Sequence, residues 1–324
     1  MGTLLKGREK GKEMTEGLLQ SLFWIIVFPG FLFTLFFGLV ASWIVRKVSA
    51  LVQWRVGPPL FQPLYDVVKL MGKETLIPQD GQRTVFIAAP LVGLAGVLLL
   101  STMLWRITID QTAFVGDIIV AIYLMVLPSL ALIFGSSASG SPHAQVGTAR
   151  EMKLVMGYEL PLVLAVIVVI IKTGGQLSLA AIAEQTTALS VSGMLAFLVG
   201  IMCVQAKLGF VPFDIAEAET ELGSGVLMEY SGSLLAVWKV MQALMLVALP
   251  LFLVMVFLGG FGASLLAGLG KYVLILVLLI LIKNTNPRVR IDQAMKFFWF
   301  YCGIALAAAV ILAVIGNYYS IKWL

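Results

Sequence analysis

Ser190-Val-Ser-Gly-Met-Leu-Ala-Phe-Leu-Val-Gly-Ile-Met-Cys-Val-Gln-Ala206 is an uncharged, largely apolar run. It leads directly into Lys207-Leu-Gly-Phe-Val-Pro-Phe-Asp-Ile-Ala-Glu-Ala-Glu-Thr-Glu-Leu-Gly-Ser-Gly-Val-Leu-Met-Glu-Tyr230. The first segment has the length and apolarity of a membrane crossing. The second holds five of the chain's 17 acids, Asp214, Glu217, Glu219, Glu221 and Glu229, interleaved with Phe210, Val211, Phe213, Ile215, Leu222 and Val226. A solvated acidic loop rarely carries so many large apolar residues, although the residues alone leave that alternative open.

Composition agrees with a membrane setting. Of the 324 residues 60% are hydrophobic and 12% charged, about half the roughly 25% charge of soluble domains. The mean hydropathy is +1.01. Such a chain cannot cover a water-facing surface with polar groups, which excludes an ordinary soluble globule, and disorder, collagen and disulfide scaffolds are excluded with it. A polytopic helical protein remains, because backbone polar groups in lipid must be satisfied within their own segment.

Eight runs reach spanning length: Leu18–Val45, Thr84–Trp105, Ala113–Gly135, Leu154–Ile171, Ser190–Ala206, Leu234–Leu258, Phe261–Ile282 and Phe297–Tyr319. They predict an all-α, multi-pass cell-membrane protein with residues 1–324 as one integral membrane domain. Residues 1–17 form a polar tail. The run after it has no small-residue cleavage pattern, so it reads as an uncleaved helix, kinked at Pro29-Gly30. Between the first two spans, Leu64, Val67, Val68 and Met71 recur at helical spacing with Asp66, Lys69 and Lys73 around them. This is the pattern of an amphipathic helix lying on the membrane. Basic residues set the orientation: 14 of the 22 Lys and Arg fall in or beside segments 46–83, 136–153, 207–233 and 283–296. The positive-inside rule makes these the cytoplasmic loops, although the basic N-terminal tail pulls the other way.

Metal and nucleotide chemistry find no motif here. Cys203 and Cys302 lie far apart without a neighbouring ligand, and His143, the single histidine, sits in a Ser/Gly/Pro loop. No cofactor or metal is expected in the chain itself. The acids are the remaining chemistry. If Pro212–Leu222 is helical, Asp214, Glu217 and Glu221 share a face, where desolvation and repulsion favour shared protons. Glu159, in Met156-Gly-Tyr-Glu-Leu-Pro161, is a carboxylate within a span. It either pairs with Arg150 or Lys153 or serves as a proton relay.

At these residues the sequence resembles the family of NADH dehydrogenase subunit 1, or NuoH, of respiratory complex I, with its counterparts in membrane-bound hydrogenases and related ferredoxin-linked complexes. The resemblance rests on Arg55-Val-Gly-Pro, Gln62-Pro63, Lys69 with Lys73-Glu74, and Tyr158-Glu159. It continues through Pro212-Phe-Asp-Ile-Ala-Glu-Ala-Glu-Thr-Glu-Leu-Gly-Ser-Gly225, Glu229-Tyr230-Ser-Gly and Arg288-Val-Arg-Ile-Asp292. It spans roughly residues 46–299, in the family's order.

The resemblance implies a subunit, non-catalytic alone, that anchors a cytoplasmic redox module and couples it to proton or sodium translocation. Glu159, Asp214, Glu217, Glu219, Glu221 and Glu229 would form the proton path. Arg55, Lys69, Glu74, Arg288, Arg290 and Asp292 would face the redox module. The implied partners are hydrophilic iron–sulfur and hydrogenase-like subunits, antiporter-like membrane subunits and the lipid bilayer, with ferredoxin as the electron donor and no nucleic acid. Iron–sulfur clusters, and in hydrogenases a nickel–iron centre, would belong to those partners.

One departure narrows the expectation. Quinone-reducing members carry Glu-Thr-Asn-Arg where this chain has Lys207-Leu-Gly-Phe210. The change argues against a quinone site and for a hydrogenase or sulfur-reductase relative. A quinone-binding subunit with an altered site is the alternative within the family. A free-standing secondary ion transporter is the alternative outside it, against which stands the lack of a counterpart to the acidic segment in the first half.

Overall fold

Apolar runs of this length have one stable form in lipid, and the computed structural model is all-helical, with no strand among the described residues. It describes residues 22–323 except 80, 112, 219, 220, 222, 263, 320 and 322; Glu219 of the acidic segment therefore lies outside the described residues. Among those described, seven helices are long and apolar enough to cross a membrane. They are α1 (Phe31–Val52, part of a span running from Leu22), α3 (Arg83–Asp110), α4 (Asp117–Ser137), α5 (Pro142–Lys172), α8 (Gly232–Phe257), α9 (Leu265–Thr285) and α10 (Ile291–Tyr318). An eighth apolar helix, α7 (Val191–Lys207), is shorter, and two further helices are α2 (Gln62–Met71) and the brief α6 (Leu179–Ala183). At 17 residues α7 is about 26 Å long, just short of the roughly 30 Å hydrocarbon core.

α8 is the axis of the bundle. It is apolar on every side apart from Ser233, Lys239 and Gln242, and nearly all of it is buried against α1, α3, α7 and α9. Small residues bring neighbours close: a Cβ added at Gly38 of α1 would lie 2.6 Å from the Ala243 carbonyl oxygen. Backbones meet there as they do at small-residue crossings in membranes.

Helix ends depart from the apolar runs in instructive ways. α5 starts at Pro142, not Leu154, so Arg150, Glu151 and Lys153 are helical and not loop residues. Pro142 occupies the first turn, where its missing N–H costs nothing. With 31 residues α5 is about 46 Å long and extends well past the apolar layer. α9 starts at Leu265, not Phe261, because Gly259, Gly260 and Gly262 take positive φ and end any regular helix. In α2, Val67 packs on the bundle while Leu64, Val68 and Met71 are exposed along its outer side.

Side-chain and backbone bonds lace the loop-bearing face together. Thr75 and Ser233 hydroxyls lie 2.9 Å apart, Asn284 Nδ2 donates to Ser49 Oγ at 3.1 Å, and Val289 N donates to the Pro212 carbonyl at 3.1 Å. On the opposite face, Asp117 is fully buried in the first turn of α4 and accepts from Leu179 N at 2.6 Å, tying α4 to α6.

Candidate functional site

Over residues 211–218 the acidic segment does not form the helix that would stack its carboxylates. Residues 211–218 run through turns and bends. Pro212, Gly209 at positive φ and the short Ile215 N to Phe213 carbonyl bond at 2.8 Å break the helical register. The consequence is chemical: Asp214, Glu217 and Glu221 each find a separate partner.

Asp214 Oδ2 accepts from Arg288 Nη2 at 2.6 Å, with both side chains mostly buried. Glu217 Oε1 accepts from Gln242 Nε2 of α8 at 2.9 Å, and Gln242 in turn accepts from Lys239 at 3.2 Å. Glu221 is exposed and pairs with Arg150 of α5 at 2.7 Å. The hydrogen bond and charge of Arg150 hold the Glu221 carboxyl below the ordinary range, with Arg288 and Arg290 adding to the effect. Glu229 is half-buried at the entry to α8 and does not line the cavity that Asp214 and Glu217 share.

Glu159 meets neither Arg150 nor Lys153. Its carboxylate is hydrogen-bonded to the ammonium of Lys207, the last residue of α7, whose side chain is completely buried. Lys207 Nζ also donates to the Met125 carbonyl of α4 at 3.1 Å and stands 5.0 Å from the centre of the Tyr158 ring. Tyr158 is itself buried, its hydroxyl 3.0 Å from Ser129 Oγ. Three helices thus meet on one cation. Removing one member of such a pair costs about 3–5 kcal/mol, because the survivor is a buried, uncompensated charge.

Of these residues Lys207 and Ser129 border a cavity of about 390 Å³ between α1, α4, α5, α8 and the acidic segment. Its charged lining comprises Glu151, Asp214 and Glu217 together with Arg46, Lys207, Lys239, Lys283 and Arg288. Phe210, Pro128, Trp238 and Leu246 are among the apolar walls. Lys283 lies over the Phe210 ring at 4.4 Å. At the mouth, Arg46 of α1 pairs with Asp66 of α2 at 2.6 Å, and Gln62 donates to the same carboxylate at 2.9 Å. Partial burial raises the Asp66 carboxyl, but the Arg46 and Gln62 hydrogen bonds and the nearby positive charge outweigh it, leaving a net lowering.

Glu151 is the residue that reading the sequence missed. It is buried on α5, eight positions before Glu159, and faces the cavity. Placing the helix start at Pro142 would have put both acids on neighbouring parts of one face. The surface residues are distributed otherwise. Arg55, Lys69, Glu74, Arg290 and Asp292 are exposed on the loop-bearing face, Arg290 and Asp292 at the start of α10. Arg288 is turned inward to Asp214. Among the described residues no His, Cys, Asp and Glu group is arranged to hold a metal ion.

Known proteins share this arrangement of sequence and helices. The NADH dehydrogenase family model matches residues 25–314. The NuoH protein of the NADH-quinone oxidoreductase of Dehalococcoides mccartyi is 30% identical over 315 residues, spanning 93% of this chain and 88% of that protein. Its counterpart in Syntrophotalea carbinolica is 34% identical over 276 residues, spanning 78% and 83%. Among solved structures, a chain of the membrane-bound sulfane sulfur reductase, an archaeal respiratory membrane complex, superposes with a TM-score of 0.80 at 28% identity. The match covers 87% of this chain and 96% of that one. The chain belongs to the NADH dehydrogenase family and is a NuoH-like membrane component of a complex I-related assembly.

Proposed function

We propose that this protein anchors and couples a ferredoxin-linked, complex I-like respiratory complex of the membrane-bound hydrogenase or sulfur-reductase type. The loop-bearing face is taken as cytoplasmic, where hydrophilic iron–sulfur subunits dock; antiporter-like subunits lie beside the chain in the membrane. Electron transfer in the docked module changes the field or packing at the acidic segment. Ion binding by Glu217, Glu151 and Glu159 follows, and the coupled ion is a proton or a sodium ion. The iron–sulfur clusters, and a nickel–iron centre in a hydrogenase, belong to the partners.

The observation that carries this reading is the Lys207–Glu159 pair. Lys207 stands where quinone-reducing members of the family have the Glu of Glu-Thr-Asn-Arg, and here its charge is committed to an internal carboxylate. Phe210 stands where they have Arg and forms part of the cavity wall. The relatives named as components of NADH-quinone oxidoreductases support the quinone-binding alternative. Activity of the purified complex that is unaffected by quinone-site inhibitors supports the first reading; inhibition supports the second.

Ion coupling is tested with Glu217→Gln in the assembled complex, in sealed vesicles. Electron flux is expected to continue while ion transport is lost. Normal transport at normal flux removes Glu217 from the path and with it this assignment.

A further inference from the structure

The face opposite the loops carries a second pocket, which the coupling scheme does not use. α5 ends there at Lys172, α10 ends at Tyr318, and α7 begins there after Ser190. The pocket holds about 600 Å³, within the usual range for small-molecule sites. Lys172, Gln185, Thr186, Asn317 and Trp323 supply much of its polar lining. Local bonds hold the walls together: Val191 N donates to the Trp323 carbonyl at 3.0 Å, and Asn317 Nδ2 donates to the Ile171 carbonyl at 3.3 Å. A lysine in the last turn of a helix ordinarily serves that helix's own carbonyls. Lys172 instead reaches across to α7, where Nζ donates to Ser192 Oγ at 3.4 Å. Among the described residues it takes part in no ion pair. A half-buried ammonium thus lines a roomy polar pocket with no opposing charge.

We propose that this pocket binds the anionic phosphodiester headgroup of a membrane phospholipid, whose acyl chains run down α7 and α10. The Lys172 ammonium supplies the charge, and the Gln185 amide, the Thr186 hydroxyl and the Trp323 indole N–H are donors for phosphate oxygens. Depth in the membrane fits a headgroup. Tyr318, Tyr319 and Trp323 are all exposed at this end of the chain, as aromatic residues are at the membrane–water boundary. Lysine likewise lays its stem along apolar surface there and keeps its charge at headgroup level. Both helices that border the pocket then expose apolar side chains, Val191, Met194 and Leu198 on α7 and Ile311, Val314 and Ile315 on α10. A free phosphate would leave those surfaces uncovered; a lipid fills the pocket and covers them. The bound lipid fastens the ends of α5, α7 and α10 to one another. This inference goes beyond the coupling reading and stands independently of it.

Native mass spectrometry of the assembled complex tests it, with phosphatidylglycerol, phosphatidylcholine or inorganic phosphate added in turn. This subunit, released in the gas phase, is expected to retain phosphatidylglycerol in preference to zwitterionic phosphatidylcholine. Lys172→Met should lower phosphatidylglycerol retention about fivefold, the loss of one lysine near a lipid surface. Arg106→Met, which removes an exposed cation at the end of α3, should leave retention unchanged. Equal retention of the two lipids by the wild type, or an equal fall in both variants, overturns the site. Full retention in Lys172→Met overturns it as well. Displacement of phosphatidylglycerol by excess inorganic phosphate would make the pocket a free-anion site and overturn the lipid assignment. If Lys172→Met does not assemble, Gln185→Glu decides, because it sets a carboxylate at the exposed rim. It is expected to repel phosphatidylglycerol and spare phosphatidylcholine; unchanged retention of phosphatidylglycerol there overturns the proposal.

Discussion

Arg288 Nη2 lies 2.6 Å from Asp214 Oδ2, joining two segments of the loop-bearing face that are 74 positions apart. A backbone bond from Val289 N to the Pro212 carbonyl runs beside it at 3.1 Å. Together they brace the turn-rich part of the acidic segment against the start of α10, and they place Asp214 at the cavity wall.

Arg288→Ala should therefore loosen the acidic segment more than it disturbs the membrane helices. A hydrogen bond to a charged group contributes about 1.5–3 kcal/mol, and Asp214 would keep its charge in a mostly buried position. Limited proteolysis is expected to cut within residues 207–218 of the variant while the wild type resists. Equal resistance in both would show that the backbone bond alone suffices.

The Arg46–Asp66 pair gives a pH test. The Asp66 carboxyl is held below its ordinary value in the folded protein. Its stabilising contribution is present above the unfolded value of about 3.9 and disappears as pH falls through the lower folded value. Both side chains are well exposed, so screening keeps the effect to about 1 kcal/mol or less. Asp66→Asn should lower the melting temperature slightly at pH 7 and make no difference near the acid end. A gap between variant and wild type that widens on acidification would contradict the sign.

Gly38 tests the packing of α1 on α8. A side chain there begins with a Cβ 2.6 Å from the Ala243 carbonyl oxygen, and backbone cannot step aside as a flexible side chain does. Gly38→Leu is expected to cost at least the roughly 1–3 kcal/mol of an overpacked core. Thermal unfolding in detergent should reveal it, with Gly303→Leu on α10, where an added Cβ meets open space, as the tolerant control.

Tyr230 stacks on Phe86 with ring centres 4.1 Å apart and donates its hydroxyl to the Phe86 carbonyl at 3.1 Å. Tyr230→Phe keeps the stack and removes one bond, a loss of about 1 kcal/mol. Tyr230→Ala removes both and should cost about 3–5 kcal/mol. Similar unfolding midpoints for the two variants would mean that the stack contributes little.

The unequal legibility of fold and site has a local cause. Apolar runs announce spanning helices because hydrophobicity over about 20 residues is a property of each segment alone. The helix that leaves the membrane at Arg150, Glu151 and Lys153 escapes such a reading, since its polar opening turns look like a loop. The acids of the 207–230 segment were visible as a group, but their separation onto Arg288, Gln242 and Arg150 depends on Pro212 and Gly209 breaking the helix.

Sequence alone settled that this chain is a helical membrane protein and showed where most of its acids cluster, because length, hydropathy and residue type are written locally. Tertiary structure decided the partners. Lys207 meets Glu159 across 48 positions and the Met125 carbonyl across 82. A buried charge must be compensated by whatever the packed helices bring within reach. That neighbour is set by the folding of α4, α5 and α7 against one another, and no spacing along the chain encodes it.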